Sequence, residues 1–512
     1  MNKWIKYGLW IWGLLLVSCQ NFLEPKSQSE YVPELVQSLD ELLVGEAYMS
    51  PWSYGITPIL GMFDDDVAVR PEIANYNDSD EATIEQVQLA FTWSEEMING
   101  LNGYDMYSLV YRKIVGCNAV LDYLDGVRGT ETQKHFLKAQ ALTLRSYYYF
   151  YLVNLYGKPY SASRDALGVP LKLISGLSAG RMPRNTVGEV YDQVVKDLLE
   201  AERLFKLLPR EDWVRRDNRV CLPMIQLLLS RVFLYMENWS EALAYAEKVR
   251  LDYDYKILDL NTIPAPVQTN SVTYPDYMNW ENPETIFLFG DVSDRVMFPY
   301  EYSKFILTDD QGTPVLYTIG VVSEDLLKAY EPTDLRKSRY LIWESTQYGT
   351  KPPVYRVPVS KLAVGSFYEI NLRGGIYWGY AFKVTETYLN AAEAAAMLFR
   401  KTGEGKYLSK VWNLMDELRM NRFPEGAFNP CAIKEPEDLI SFVRNERRRE
   451  FCFENHRWFD IRRYGMEEMK HVWYDRTGLP VEYVLQKNDP RFTLLIPKEA
   501  FALNPGLVQN DL

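Results

Sequence analysis

The two ends of the chain carry a helical spacing of apolar residues. Over Lys134–Tyr156, apolar side chains recur every three or four positions, and Gly157 and Pro159 follow as a helix terminus requires. Thr186–Glu189 has the sequence of a capping box, which predicts the start of another helix that continues to about Leu208. Further helices are predicted in Ser38–Tyr48 and Asn102–Val127. The chain is therefore predicted to be mainly α-helical.

One segment has the pattern of a tetratricopeptide unit, which is a pair of antiparallel helices. In Met224–Arg250, Ser230, Phe233 and Ala242 fall where such a unit has a small residue, an aromatic residue and an alanine. A second, less regular pair is visible within residues 386–421. We therefore predict a scaffold of tetratricopeptide-like helix pairs rather than a long solenoid.

The middle of the chain has a different character, because prolines, tyrosines and short β-like runs replace the helical spacing. Glu284–Phe289 and Val354–Val359 are predicted to be short strands, and Ser323–Tyr330 is one of the few helical patterns. Function usually lies on loops of this kind. The predicted organisation is a single domain over residues 34–512, with a helical scaffold over about 34–251 and 381–512 and a loop-rich ligand region over about 252–380.

Arg444–Gly465 concentrates charge and aromatic rings, with seven arginines, four carboxylates and five aromatic side chains in 22 residues. A helix that starts at Pro436 places Glu446 and Glu450 on its apolar face. Buried carboxylates need partners, so we predict an ion-pair network that clamps this helix to the body of the protein. A nucleic-acid surface and acid–base chemistry with His456 are the alternatives. Partners are expected among Arg447, Arg448, Arg449 and Arg457.

Composition limits the possible functions. The formal net charge of −13 argues against nucleic acid as the main partner. With only three histidines and no HExxH or CxxC motif, we predict no cofactor and no transition-metal site, and the usual enzyme motifs are absent. The triplet Asp64–Asp66 lacks EF-hand spacing and is predicted to be a solvated loop, with calcium binding as the alternative. Wide spacing favours free thiols over disulfides for Cys117, Cys221, Cys431 and Cys452.

The N-terminus has the layout of a secretory signal. Two lysines precede the apolar run Tyr7–Val17, which is too short to span a bilayer comfortably. The run ends in the letters LVSC, which resemble a bacterial lipobox, in which Cys19 becomes the lipidated first residue of the mature protein. A plain leader with a coincidental cysteine is the alternative. We predict that residues 1–18 are a signal peptide and that residues 19–33 are a lipidated Cys19 and its tether.

Several stretches together are similar to one family. They are the lipobox at Cys19, KAQALTLRSYYYFYLVNLYG, LLLSRVFLYMENWSEALAYAEKV, ERRREFCFENHRWFDIRRYG and the tail LLIPKEAFALNPGLVQN. The chain resembles, nearly end to end, the SusD/RagB outer-membrane lipoproteins of Gram-negative nutrient-uptake systems. The resemblance implies four tetratricopeptide-like helix pairs and a surface-exposed lipoprotein that caps a SusC-like TonB-dependent transporter. It also implies the capture of oligosaccharide, or in some members peptide, without catalysis.

Sugar recognition requires exposed aromatic faces next to groups that bond hydroxyls. These residue types combine in Arg70–Asn99 and in Tyr274–Tyr302. Taken singly, each aromatic residue fits the core better than a ligand site. We predict one platform of Trp93, Tyr76, Tyr300 and Tyr302, with Arg70, Asn99 and Tyr277 as further ligand residues.

Three other functions stay open from the residues alone. The first is binding of oligopeptides in the same type of uptake complex. The second is a protein-interaction scaffold without a small ligand. The third is a glycosidase, which needs two carboxylates across a cleft, an arrangement that a sequence cannot place.

Overall fold

The computed structural model describes most of the chain, in ten segments. These are residues 33–48, 60–97, 106–176, 181–265, 277, 279–289, 304–308, 314–346, 354–361 and 380–511. The predicted residues Cys19, Asn99, Tyr300 and Tyr302 lie outside them.

The described residues form a mainly helical fold, as predicted. The helices before the middle region are α1 (Val36–Leu42), α2 (Glu81–Phe91), α3 (Met106–Tyr123), α4 (Glu131–Tyr156), α5 (Val187–Phe205), α6 (Leu222–Tyr235) and α7 (Trp239–Asp252). Those that follow are α8 (Glu324–Ala329), α9 (Arg336–Arg339), α10 (Val384–Thr402), α11 (Gly405–Arg419), α12 (Pro436–Phe451), α13 (Arg457–Arg463) and α14 (Lys498–Leu503).

The described strands pair as separate antiparallel ribbons. The pairs are β1 (Val67–Val69) with β5 (Gly320–Val322), β2 (Thr285–Phe289) with β8 (Tyr380–Lys383), β3 (Lys304–Thr308) with β4 (Pro314–Thr318), β6 (Leu341–Thr346) with β7 (Val354–Lys361), and β9 (Met469–Tyr474) with β10 (Pro480–Leu485). The β2–β8 and β1–β5 pairs join segments far apart in sequence, so they tie the middle region to the helical ends.

Local signals explain where the central helices begin. Thr186 Oγ accepts from the backbone N–H of Glu189 at 3.1 Å, and the Glu189 carboxylate accepts from the backbone N–H of Thr186 at 2.8 Å. This is the predicted capping box, and it satisfies two backbone donors at the start of α5. Thr130 and Gln133 form a second capping box at the start of α4, which ends before Gly157 as predicted.

The two predicted helix pairs are confirmed as α6–α7 and α10–α11. In the first pair the Ser230 hydroxyl donates to the carbonyl of Ala242 at 2.9 Å, so a small polar residue joins the two helices. The two pairs also pack on each other through α7 and α10. Arg231 donates two hydrogen bonds of 2.6 Å to the Glu386 carboxylate, which fixes α6 against α10.

The predicted ion-pair network around α12 is confirmed. Glu446 and Glu450 are both fully buried. Arg449 donates to Glu446 at 2.5 Å, and Arg422 donates to Glu450 at 2.8 Å. Arg336 lies between the two carboxylates, 2.7 Å from Glu446 and 3.0 Å from Glu450. The arginine charges lower the pKa of both carboxyl groups against the opposing effect of burial.

Three of the four expected arginine partners bind other carboxylates instead. Arg447 donates to Asp460 at 2.9 Å. Arg448 and Arg457 reach the aspartates of the triplet, described below. Of the four, only Arg449 pairs with Glu446 as predicted. The other partners of Glu446 are Arg336 and Arg419, which lie in segments distant in sequence.

The four cysteines in the described residues are free thiols, as predicted. Burial raises the pKa of Cys117 and of Cys221 to about 12. Both groups therefore stay protonated and behave as small apolar side chains.

Candidate ligand-binding surface

Trp93 is buried rather than exposed, so the expectation that it offers an open ring face is wrong. Its side chain is 3% exposed, and its indole N–H donates to the carbonyl of Phe63 at 3.0 Å. The ring stacks on His471 with a centroid distance of 4.1 Å, and Phe91 stacks on the other face of His471 at the same distance. Trp93 also has a φ of 51°, a left-handed conformation that is strained for a bulky residue.

His471 holds this stack together from the β9–β10 ribbon. Its two ring nitrogens lie 2.6 Å from the carbonyl oxygen of Phe91 and 3.0 Å from that of Asp64. Burial lowers its pKa to about 4, although both carbonyls oppose that shift. The imidazole thus joins residues 64–93 to the C-terminal part of the chain.

Tyr76 is half-buried, and one face of its ring is covered. The guanidinium of Arg476 lies 3.3 Å from the ring centroid, and the same group donates to the Tyr76 carbonyl at 2.6 Å. Arg476 is also 3.6 Å from the carboxylates of Asp78 and Glu81. Tyr76 lies at the surface, but its stacking face is occupied by an arginine from the turn of the β9–β10 ribbon.

Arg70 and Tyr277 are buried, which corrects the expectation that they are open to ligand. Arg70 is 6% exposed, and its guanidinium lies 5.3 Å from the ring centroid of Tyr317. Tyr277 is 4% exposed, its hydroxyl donates to the Arg339 carbonyl at 3.0 Å, and its ring packs edge-on against Tyr340. Within the described residues the predicted platform is therefore not assembled as exposed rings, and its part in ligand binding stays a prediction.

The triplet Asp64–Asp66 is not a solvated loop, so that prediction is wrong. Asp64 and Asp66 are 5% and 1% exposed. Arg457 donates to the Asp65 carboxylate at 2.6 and 2.7 Å, and Arg448 donates to Asp66 at 2.7 Å.

The three aspartates differ in their ionisation. Burial and the two neighbouring carboxylates raise the pKa of Asp64 well above its usual range. Burial would also raise the pKa of Asp65, but Arg457 and Arg448 outweigh it and lower that pKa to about 2. The carboxylate oxygens lie within 4.8 Å of one another, a spacing that suits a cation, but the two arginines supply the positive charge there. The cluster therefore joins the N-terminal segment to α12 and α13.

An aromatic crevice opens where α4, α6, β2–β8 and the turn after α12 meet. Phe150, Tyr235, Phe289 and Phe382 line its walls, and polar groups that include Asn154 stand around them. Its volume is about 60 Å³. Whole-ligand pockets are typically several times larger, so this crevice admits a few water molecules or one small chemical group.

The residues described above form a helical scaffold in which most of the charged groups are in ion pairs. Aromatic rings and hydroxyl groups line its surface crevices. No helix in the described part of the chain is long and apolar enough to cross a membrane. The arrangement suits a binding protein rather than a catalyst.

Comparison with known proteins agrees. Residues 21–234 match a SusD-like family model described as starch-binding and associating with the outer membrane, and residues 337–512 match the SusD family model. No curated protein matches the chain.

Solved structures show the same fold. A SusD-like carbohydrate binding protein from Bacteroides vulgatus is 20% identical, with a TM-score of 0.67 over 94% of this chain and 99% of its own. SusD superfamily proteins from Bacteroides fragilis and Bacteroides thetaiotaomicron are 20% and 19% identical, each with a TM-score of 0.66 over 93% of this chain and 100% of their own. The chain belongs to the SusD/RagB family, whose members bind ligands and do not catalyse.

Proposed function

We propose that this protein is a cell-surface lipoprotein that binds oligosaccharides or polysaccharide fragments and delivers them to a SusC-like TonB-dependent transporter. The observation that carries the proposal is membership of a family whose matching model is described as starch-binding and associating with the outer membrane. The carbohydrate-binding relative from Bacteroides vulgatus supports the same ligand class through its shared fold.

The ligand surface that we propose lies around Tyr76 and the loop that carries Trp93. Tyr76 supplies the one predicted ring that is half-exposed among the described residues, and Arg476 beside it supplies hydrogen-bond donors. Tyr300, Tyr302 and Asn99 remain proposed contributors from outside the described residues. A ring next to a guanidinium suits sugar stacking combined with hydroxyl recognition.

Affinity electrophoresis tests the ligand class. The soluble part of the chain, residues 20–512, which lacks the leader and Cys19, is run through gels that contain starch, other polysaccharides or none, and peptides are assayed separately by calorimetry. We expect at least one polysaccharide to slow the protein relative to an inert control protein. Binding of peptides alone would show that the ligand is a peptide and not a carbohydrate. A complex with a barrel partner in the absence of any bound ligand would favour the protein-interaction scaffold.

The anchor has its own test, because it depends on a single side chain. Cys19→Ala removes the sulfur that the lipid would modify, so we expect the variant to leave the membrane fraction on export. Cys431→Ala, at a half-buried free thiol, is the matched control and is expected to stay in the membrane fraction. A Cys19→Ala protein that remains with the membrane would contradict the lipid anchor.

A further inference from the structure

A second crevice lies between the Trp93 loop and the C-terminal tail. We call it the Trp458 crevice, and the residues of interest in its lining are Phe63, Trp93, Ser94, Glu95, Trp458 and Thr493. Its volume is about 20 Å³. A cavity needs about 10–15 Å³ to hold one water-sized group, so this one accepts a single hydroxyl and excludes a sugar ring.

Trp458, in the lining of the crevice, carries a buried donor that no described residue accepts from. Trp458 is 1% exposed, and among the described residues its indole N–H has no hydrogen-bond partner. Its ring is fixed, since it packs against Phe63 at 5.3 Å and stacks on Phe492 at 5.5 Å. Buried polar groups in proteins are nearly always hydrogen-bonded, so this N–H is available to an acceptor oxygen.

Two hydroxyl groups in the lining are also set to donate. Thr493 Oγ1 accepts from the Arg462 guanidinium at 3.3 Å, and Ser94 Oγ accepts from the backbone N–H of Glu96 at 3.2 Å. A hydroxyl that already accepts one bond still has its own hydrogen to give. The crevice therefore offers donors from three side chains, which favours an oxygen-bearing ligand group.

Other residues in the lining of the Trp458 crevice further define which oxygen-bearing group it prefers. Trp93 is held in its strained conformation by the bond to Phe63 and by the stack on His471, so its side of the crevice is preorganised. Glu95 is exposed and Arg491 is half-buried at the lining, so charges of both signs stand there, and the Glu95 carboxylate can accept a hydrogen bond from a hydroxyl. A neutral group that both accepts and donates fits these partners better than a carboxylate or a phosphate.

We propose that the Trp458 crevice is a subsite for one hydroxyl group of a neutral sugar, which accepts from the Trp458 indole N–H while the sugar ring remains outside the mouth. The inference rests on the proposed carbohydrate-binding function and names the chemical group that this part of the surface recognises. It also gives Trp93 a role as a fixed wall rather than as a stacking platform.

Trp458→Phe tests the subsite, because it keeps an aromatic ring and removes the N–H. Trp412→Phe is the matched control, since the Trp412 indole N–H already donates to the Ile433 carbonyl at 2.8 Å, away from the crevice. We expect Trp458→Phe to weaken binding of the polysaccharide that slows residues 20–512 in the gel. The affinity should fall about threefold to tenfold, and Trp412→Phe should leave it unchanged. Ser94→Ala provides a second variant in a loop and is expected to weaken binding by about threefold.

An NMR measurement on the Trp458 indole tests the subsite independently of polysaccharide binding. In ¹H–¹⁵N spectra of the tryptophan indoles, the Trp458 signal is identified by its loss in Trp458→Phe, or by its response to Ser94→Ala if that variant does not fold. We expect glucose or galactose at high concentration to shift this signal. If neither sugar shifts it, or if Trp458→Phe and Ser94→Ala both bind like Trp412→Phe, the crevice holds only water and the inference is overturned. A shift without retention by any polysaccharide would support the subsite and contradict the proposed polysaccharide ligand.

Discussion

The network around α12 and the Trp458 crevice are both buried and both rich in polar groups, yet they differ in how those groups are paired. In the network each buried glutamate faces guanidinium groups from several segments, such as Arg336 and Arg422. In the crevice the Trp458 N–H has no partner among the described residues, and the hydroxyls of Ser94 and Thr493 add further donors. Glu446 Oε1, Arg419 Nε and Arg449 Nε in the network also lack a hydrogen bond within the described residues, but these groups are compensated by ion pairs, whereas no charge compensates the Trp458 N–H.

The two regions are neighbours in sequence, which sharpens the contrast. Trp458 belongs to Arg444–Gly465, the stretch whose charge pattern predicted a purely structural clamp. Its arginines and glutamates fulfil that prediction, while its one tryptophan points to a different role. If the Trp458 crevice binds a hydroxyl as proposed, this one segment stabilises the fold and recognises a ligand through different side chains.

Breaking the network should have the largest effect of any single change. Glu446→Ala leaves Arg336, Arg419 and Arg449 buried without their shared carboxylate, so we expect a loss of about 3–5 kcal/mol in the free energy of unfolding, measured by urea denaturation. Glu482→Ala is the control, because its ion pair with Lys470 is half-exposed and should contribute no more than about 0.5 kcal/mol. If Glu446→Ala kept native stability but lost ligand binding, the network would have to be assigned to the binding site instead of to the stability of the fold.

Acid should weaken a second buried ion pair, between Glu393 and Arg463, within a defined pH window. Glu393 is buried and accepts two bonds of 2.7 Å from Arg463. Burial alone would raise its pKa, but Arg463 and the other arginines outweigh that effect and lower the pKa from 4.5 to about 2. A carboxyl group with a lowered folded-state pKa stabilises the fold above its unfolded-state pKa, and that contribution is lost as the pH falls towards 2.

We therefore expect the wild type to lose about 3 kcal/mol of stability from Glu393 between about pH 5 and pH 2. Glu393→Gln lacks this ionisation, so the gap in unfolding free energy between the two proteins should close over the same range. Urea denaturation at a series of pH values measures it. A gap that stays constant would mean that folding does not lower the pKa of Glu393.

Much of the scaffold could be predicted because its signals are local. The capping boxes at Thr130 and Thr186 and the apolar spacing of α4 each act within a few residues. The same kind of signal is present for α2, where Ile84, Val87 and Phe91 recur at helical spacing, but no helix is predicted there in the sequence analysis above. The β9–β10 ribbon is not predicted from the sequence, because burial alternates along Met469–Tyr474 without a matching alternation of residue types: His471 is buried and Val472 is exposed.

The candidate site could not be predicted in the same way, because its environment comes from distant parts of the chain. Trp93 is covered by His471, and Tyr76 is covered by Arg476, each from the β9–β10 ribbon near the other end of the chain. Nothing near Trp93 in the sequence indicates that its ring is buried. A sequence shows which residue types are suitable for binding sugar, but tertiary packing decides which of them remain accessible.

Uncovering Tyr76 should have the smallest effect on stability and the clearest effect on binding. Arg476→Ala removes the guanidinium that lies 3.3 Å from the ring centroid, and we expect it to cost no more than about 1 kcal/mol, since the arginine is largely solvated. Because Arg476 is also a proposed donor to sugar hydroxyls, affinity for the retained polysaccharide should fall about threefold in Arg476→Ala, and Tyr76→Ala should lower it as well. Arg128→Ala, which breaks an exposed pair with Glu34 in the N-terminal helical region, is the control and should change neither quantity. Unchanged binding in both Arg476→Ala and Tyr76→Ala would remove Tyr76 from the ligand surface and leave the Trp458 crevice as the contact that the described residues support.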